Sequence, residues 1–87
     1  VAVDAGARRA LERGGTSLLA AGVTDVHGSF DAGDAVEIVD ADGVVFAKGL
    51  VRCSAAVLAE IAGCSSDAVP EDVDAHVVHV DDLVIVV

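Results

Sequence analysis

With 87 residues and a net charge of −10, the chain has room for one hydrophobic core and no more. Its 54% hydrophobic content excludes a disordered tail, although the apolar set is small-sided: 18 Val and 16 Ala against 6 Leu, 3 Ile and 2 Phe. Fifteen acids against five bases, with neither Trp nor Tyr, oppose a phosphate backbone and leave few surfaces for base stacking. The acidity reads as solubility or as adaptation to a salty cytoplasm.

No apolar run approaches the roughly 20 residues a membrane span needs, and no basic segment followed by an apolar stretch marks a signal peptide. Two cysteines, Cys53 and Cys64, are too few for a disulfide scaffold. They read as reduced thiols of a cytosolic protein, with one bridge as the alternative. The chain opens on Val1-Ala2-Val3 without an initiator Met and is expected to be a piece of a longer protein.

Residues 1–3 form a short strand. Asp4 offers an N-cap, and residues 5–13 carry helix formers with Ala7, Ala10 and Leu11 at helical spacing. Gly14-Gly15 ends that helix. Residues 16–21 read as a connection with Leu18 and Leu19 as core plugs. Residues 22–28 are strand-like between two glycines, and residues 29–34 are rich in turn formers around Phe30 and Gly33.

Residues 35–39 alternate, with Val36 and Ile38 on one face. Asp40-Ala41-Asp42-Gly43 is a hairpin signal. Residues 44–51 return, with Gly49 marking a bulge or a close approach. Ser54 caps a second helix over 55–62, closed by Gly63. Residues 64–75 are polar, hold the only proline and are the expected mobile loop. Residues 77–80 and 83–87 are β-branched runs split by Asp81-Asp82. The count is about six short strands and two short helices, which suits a small antiparallel or mixed barrel with helices plugging its ends.

Several segments carry a family resemblance. Gly15-Thr16-Ser17-Leu18-Leu19-Ala20-Ala21-Gly22-Val23 resembles the signature turn of the PUA domain family. Val3-Asp4-Ala5-Gly6-Ala7 before it, and Gly28-Ser29-Phe30-Asp31-Ala32-Gly33-Asp34 and Ala47-Lys48-Gly49-Leu50 after it, follow the family's order. Cys53-Ser54-Ala55 through Leu58, Ile61-Ala62-Gly63, and residues 76–84 resemble the PUA domain at the C-terminus of bacterial glutamate 5-kinases.

The resemblance covers essentially residues 1–87 as a single PUA domain and implies a mostly β, mixed β pseudo-barrel with two short α-helices. It also implies a non-catalytic accessory role. The parent would be a cytoplasmic, homo-oligomeric kinase that uses ATP and Mg2+ to phosphorylate L-glutamate in proline biosynthesis. Its kinase domain would lie N-terminal to this chain and be its partner. The alternative is an RNA-binding module of an RNA-modifying protein. Three positions depart from the family pattern. Ala20 stands where Pro is usual, which loosens a turn. Cys53 stands where an aromatic is common and Val80 where a basic residue follows the His, and both changes remove possible ligand contacts.

In RNA-binding PUA domains, as the resemblance implies, the first helix and the glycine turn form the RNA face. Here those positions are Arg8, Arg9, Arg13, Gly15, Thr16 and Ser17. The plainer reading is a solvated helix face partly neutralised by Glu12, since three charges supply little phosphate affinity against −10. Gly14-Gly15-Thr16-Ser17 lacks the phosphate-loop pattern and its lysine, so it reads as a helix-ending turn.

Cys53, Cys64, His76 and His79 lack the close cysteine pair of structural zinc sites, so no metal or other cofactor is assigned to this chain. Cys53, beside a helix N-cap, has the setting of a lowered thiol pKa, but a small apolar role fits it better. Asp31, Asp34, Asp40 and Asp42 are explained by turn chemistry. Phe30 and Phe46 read as core. No catalytic motif emerges, and no membrane partner is implied.

Overall fold

The computed structural model describes residues 1–86. Its elements in chain order are β1 (Ala2–Val3), α1 (Ala5–Arg13), β2 (Leu18–Leu19), a 3-10 turn (Ala20–Gly22), β3 (Val23–Asp25), β4 (Ala35–Val39), β5 (Val45–Val51), α2 (Ala55–Ile61), a second 3-10 turn (Ser66–Ala68) and β6 (His76–Ile85). The six strands form one mixed sheet in the order β2-β6-β5-β4-β1-β3, curled into a nearly closed barrel. Only β1 and β4 run parallel; the other pairs are antiparallel.

Local chemistry sets the helix ends. The Asp4 side chain accepts from the Ala7 amide, and Gly14 closes α1 at φ 78°. Ser54 caps α2 by accepting from the Val57 amide. Both cap types satisfy amides that have no partner inside the helix. Leu11 from α1, and Leu58 and Ile61 from α2, are buried against the strand residues Val3, Ile38, Phe46, Val51, Val77 and Val78.

Strict alternation cannot bury two neighbours on one face, yet Phe46-Ala47 and Val77-Val78 are buried consecutive pairs. Register shifts account for both. Ile38 pairs with Ala47 and Val39 with Val45, so one step on β4 spans two on β5. Leu18 pairs with Val78 and Leu19 with His76, so one step on β2 spans two on β6. The extra residue at each place is a β-bulge, which re-aims side chains and adds the curvature that a small barrel needs.

The final strand is bent more strongly. Val51 pairs with Val78, but Gly49 pairs with Leu83, so residues 79–82 are looped out of the ladder. The first half of β6 pairs with β2 and the second with Ala47–Gly49. The two β-branched runs are therefore one strand, and Asp81-Asp82 mark its bulge rather than a break. Residue 87 lies outside the described residues.

Other expectations are corrected. Residues 16–21 are not a bare connection: they hold strand β2 and a 3-10 turn. Leu18 is buried there, while Leu19 is 38% exposed, because adjacent strand residues face opposite sides. The strand over 22–28 stops at Asp25, and the second helix stops at Ile61 with Ala62 as its cap. Residues 64–75 remain a loop between α2 and β6, within which a 3-10 turn forms, Val69 is buried in the core and Val73 packs against it.

Candidate functional site

Helix α1 runs nine residues, Ala5–Arg13, behind its Asp4 cap, and its arginines line two neighbouring hollows, Arg8 and Arg9 one beside Asp40 and Arg9 and Arg13 the other. The Arg8 side chain folds onto the β4–β5 turn. Its Nε donates to Glu12 Oε1 at 2.9 Å, and its Nη1 pairs with Asp40 Oδ2. The guanidinium lies 5.1 Å from the centroid of the Phe46 ring, a cation–π contact. Glu12, then Asp40, hold the Arg8 pKa above its ordinary value.

Among the described residues Asp40 is the only buried charged side chain, at 6% exposure. One oxygen accepts from the Asp42 amide at 2.9 Å and the Val44 amide at 3.0 Å, and the other meets Arg8. The Val44 amide is the largest influence holding the Asp40 pKa below the ordinary carboxylate range, ahead of the Asp42 amide and Arg8. A depressed folded-state pKa stabilises the fold above the ordinary carboxylate range, and that contribution is lost as pH falls through the folded value. Asp40→Asn should therefore melt lower than the parent chain at pH 7, with the gap closing below about pH 4. Melting followed by circular dichroism across pH tests this; a gap independent of pH would remove the ion pair from the account.

Arg9 and Arg13 make no ion pair among the described residues. They share a shallow hollow with Glu12, so the two free cations sit beside an acid. Gly14 and Gly15 take φ of 78° and 74°, a left-handed turn that residues with a Cβ avoid. Beyond it, Thr16 and Ser17 line a separate groove of about 300 Å³ between α1 and the 3-10 turn, with Ala7, Leu11, Leu18 and Leu19. Ser17 Oγ already accepts from the Val80 amide at 2.9 Å.

Of the six residues singled out on α1 and the glycine turn, five thus divide between two neighbouring hollows and a groove. Arg8 is committed to Asp40, Arg9 and Arg13 share a hollow with an acid, and Thr16 and Ser17 border a mostly apolar groove. Ion pairing of Arg8 with Asp40, 32 residues away, had no local signal, since turn chemistry accounts for Asp40 by itself. The Ser17–Val80 contact was equally invisible, because a serine after a helix-ending glycine is ordinary.

Elsewhere, Asp74 links the end of β5 to the start of β6. It accepts from Arg52 Nε at 3.1 Å and from the His76 amide at 2.9 Å, with His76 Nδ1 at 3.1 Å. The His76 amide chiefly holds the Asp74 pKa low. Burial, then nearby Asp74, pushes the Cys53 thiol up, which corrects the lowered-pKa setting at this N-cap. Cys53 and Cys64 are both free and half-buried. No three His, Cys, Asp or Glu side chains gather as metal ligands among the described residues. No helix is long and apolar enough to cross a membrane among them.

Comparison with known proteins gives one consistent family. The PUA domain model matches residues 1–72. A PUA domain from Aeropyrum pernix K1, solved as a tartrate complex, superposes with a TM-score of 0.73 at 28% identity, covering 91% of this chain and 39% of that one. The glutamate 5-kinase of Shewanella pealeana is 42% identical over 87 residues, which is 95% of this chain and 23% of the relative. That of Mycobacterium tuberculosis is 46% identical over 84 residues, 97% of this chain and 22% of the relative. The chain therefore spans less than a quarter of the length of these curated relatives.

Proposed function

Since the chain belongs to the PUA domain family, we propose that it serves as the accessory PUA domain of a glutamate 5-kinase, modulating or organising a catalytic domain rather than carrying out chemistry. The observation that carries this reading is the 42–46% identity to glutamate 5-kinases over nearly the whole chain. The parent would transfer the γ-phosphoryl of ATP to the glutamate side chain, with Mg2+, as the first step towards proline. Its catalytic domain would be this domain's partner.

The surface chemistry supports a non-catalytic role. Two of the polar side chains of the candidate face are engaged: Arg8 by Asp40 and Glu12, Ser17 by the Val80 amide. The thiol of Cys53 is pushed away from its nucleophilic form. A nucleophile or general base needs a free partner within hydrogen-bond reach of a substrate.

The test is made on the full-length protein and on a version lacking this domain. We expect γ-glutamyl phosphate formation in both, with altered substrate dependence or proline sensitivity in the truncated one. The isolated 87 residues should give no turnover. Turnover by the isolated domain would overturn the reading.

A second reading, RNA binding, is motivated by the pair of free cations Arg9 and Arg13 next to the glycine turn. Two cations beside Glu12 on a −10 chain supply little of the counterion release that holds proteins on nucleic acid. Anisotropy of dye-labelled tRNA should show no binding that survives physiological salt. Binding that survives, and that is lost in an Arg9→Ala, Arg13→Ala variant, would favour this second reading.

A further inference from the structure

The shortest central strand lies between two longer neighbours. β1 has only Ala2 and Val3, while β4 on one side begins at Ala35 and the β3 chain on the other runs on past Asp25. Ala2 pairs with Val39 in parallel and with Asp25 antiparallel. Continuing the second register sets Val1 opposite Val26 and the position before it opposite His27. At that place lies a hollow of about 510 Å³, lined among others by Val1, His27, Phe30, Val36 and Glu37.

The ladder already enters this hollow. The Val1 ammonium donates to the Glu37 carbonyl at 3.0 Å, and the Val39 amide donates to the Val1 carbonyl at 2.9 Å. Together they are one rung of a parallel ladder. In an extended strand the N–H and C=O of a residue point to the same side, and alternate residues share that side. The Glu37 amide and the Ala35 carbonyl therefore point to the side on which β1 lies, one rung beyond Val1. Val1 itself is 8% exposed. Burial lowers the pKa of its ammonium, whereas a peptide amide there would make the same bond to Glu37 without a charge to desolvate.

We propose that this hollow is a strand slot, filled in the full-length protein by the residues directly preceding Val1, which lengthen β1 in parallel along Ala35–Glu37. The occupant follows from continuity: the slot extends a strand already paired, and the curated relatives are more than four times as long as the matched part. The second residue before Val1 then shares Val1's face and covers Phe30 and Val36. A junction held by ladder hydrogen bonds on both sides is stiff, so the domain upstream leaves this barrel in a fixed direction. This rests on the reading of the chain as one domain of a longer protein and is independent of what the upstream domain catalyses.

Hydrogen exchange tests it. The exchange rate of the Glu37 amide is measured in this chain and in the same domain carrying its native preceding residues, with the peptide over 35–39 followed by mass spectrometry in the full-length protein. We expect exchange at Glu37 to slow by about tenfold or more once the preceding residues are present, the protection a newly closed ladder bond confers. Equal exchange with and without them, fast or slow, overturns the slot. An upstream domain that is not a kinase would sink the proposed function and leave the Glu37 result readable.

Discussion

Phe46→Ala should cost about 3–5 kcal/mol, the range for emptying a buried aromatic site. Phe46 is fully buried and has the largest of the completely enclosed side chains. The rest of the core is mostly Val, Leu, Ile and Ala, and short β-branched side chains cannot reach across the space a ring leaves. A small domain holds about 5–15 kcal/mol in total, so the loss is a large share of it. The Arg8 guanidinium also loses the ring it lies over. At about 4 °C or more per kcal/mol for a domain of this size, the melting temperature should fall by roughly 12 °C or more. Circular dichroism is the suitable probe, since the chain has neither Trp nor Tyr. Phe46→Leu, which keeps much of the volume, should lose far less. A Phe46→Ala variant within about 1 kcal/mol of the parent, well under that range, would mean that the ring is not the centre of the core.

That Phe46 lies inside was legible from composition, because two aromatics in an apolar chain belong in its core. How it gets there was not. Along β5 it has the same parity as the exposed Lys48 and Leu50, so alternation alone places it on the outer face. The bulge opposite Val39 reverses that, and a bulge without glycine leaves no mark in sequence. The same limit explains β2. Leu18-Leu19 is too short for any period to show, and it becomes a strand only because β6 lies alongside.

Helices, caps and the β4–β5 hairpin were readable because their determinants lie within a few residues: Asp4 to Ala7, Ser54 to Val57, Asp40 to Val44. The family turn from Gly15 to Val23 was readable as a pattern, and the fold it implies is the one found. The candidate face was only partly legible. Three arginines on one helix look like a basic patch until tertiary structure assigns Arg8 to Asp40, a partner 32 residues away.

Gly49 tests the most demanding feature of the barrel, the place where β5 crosses the bend of β6. Its backbone is not in the left-handed region, so what the position needs is space. A Cβ added there would lie 2.5 Å from Val78 Cγ1 and 3.0 Å from the Asp82 carbonyl oxygen. Val78 is fully buried and has little room to retreat. The Asp82 carbonyl belongs to the looped-out segment 79–82, so moving it means reshaping the bend that lets β6 pair with both β2 and β5. Gly49→Ala should therefore destabilise the domain by about 1–3 kcal/mol, the usual cost of overpacking, despite alanine's lower unfolded-state entropy. Val78→Ala added to it removes the methyl contact but not the carbonyl contact. The double variant should lose less than the sum of the two single losses, a coupling expected of residues in direct contact, while remaining below Val78→Ala alone. Denaturant titrations of the three variants and the parent measure all four corners of that cycle. Strict additivity would show that the close approach of Gly49 to Val78 plays no part in holding the bend.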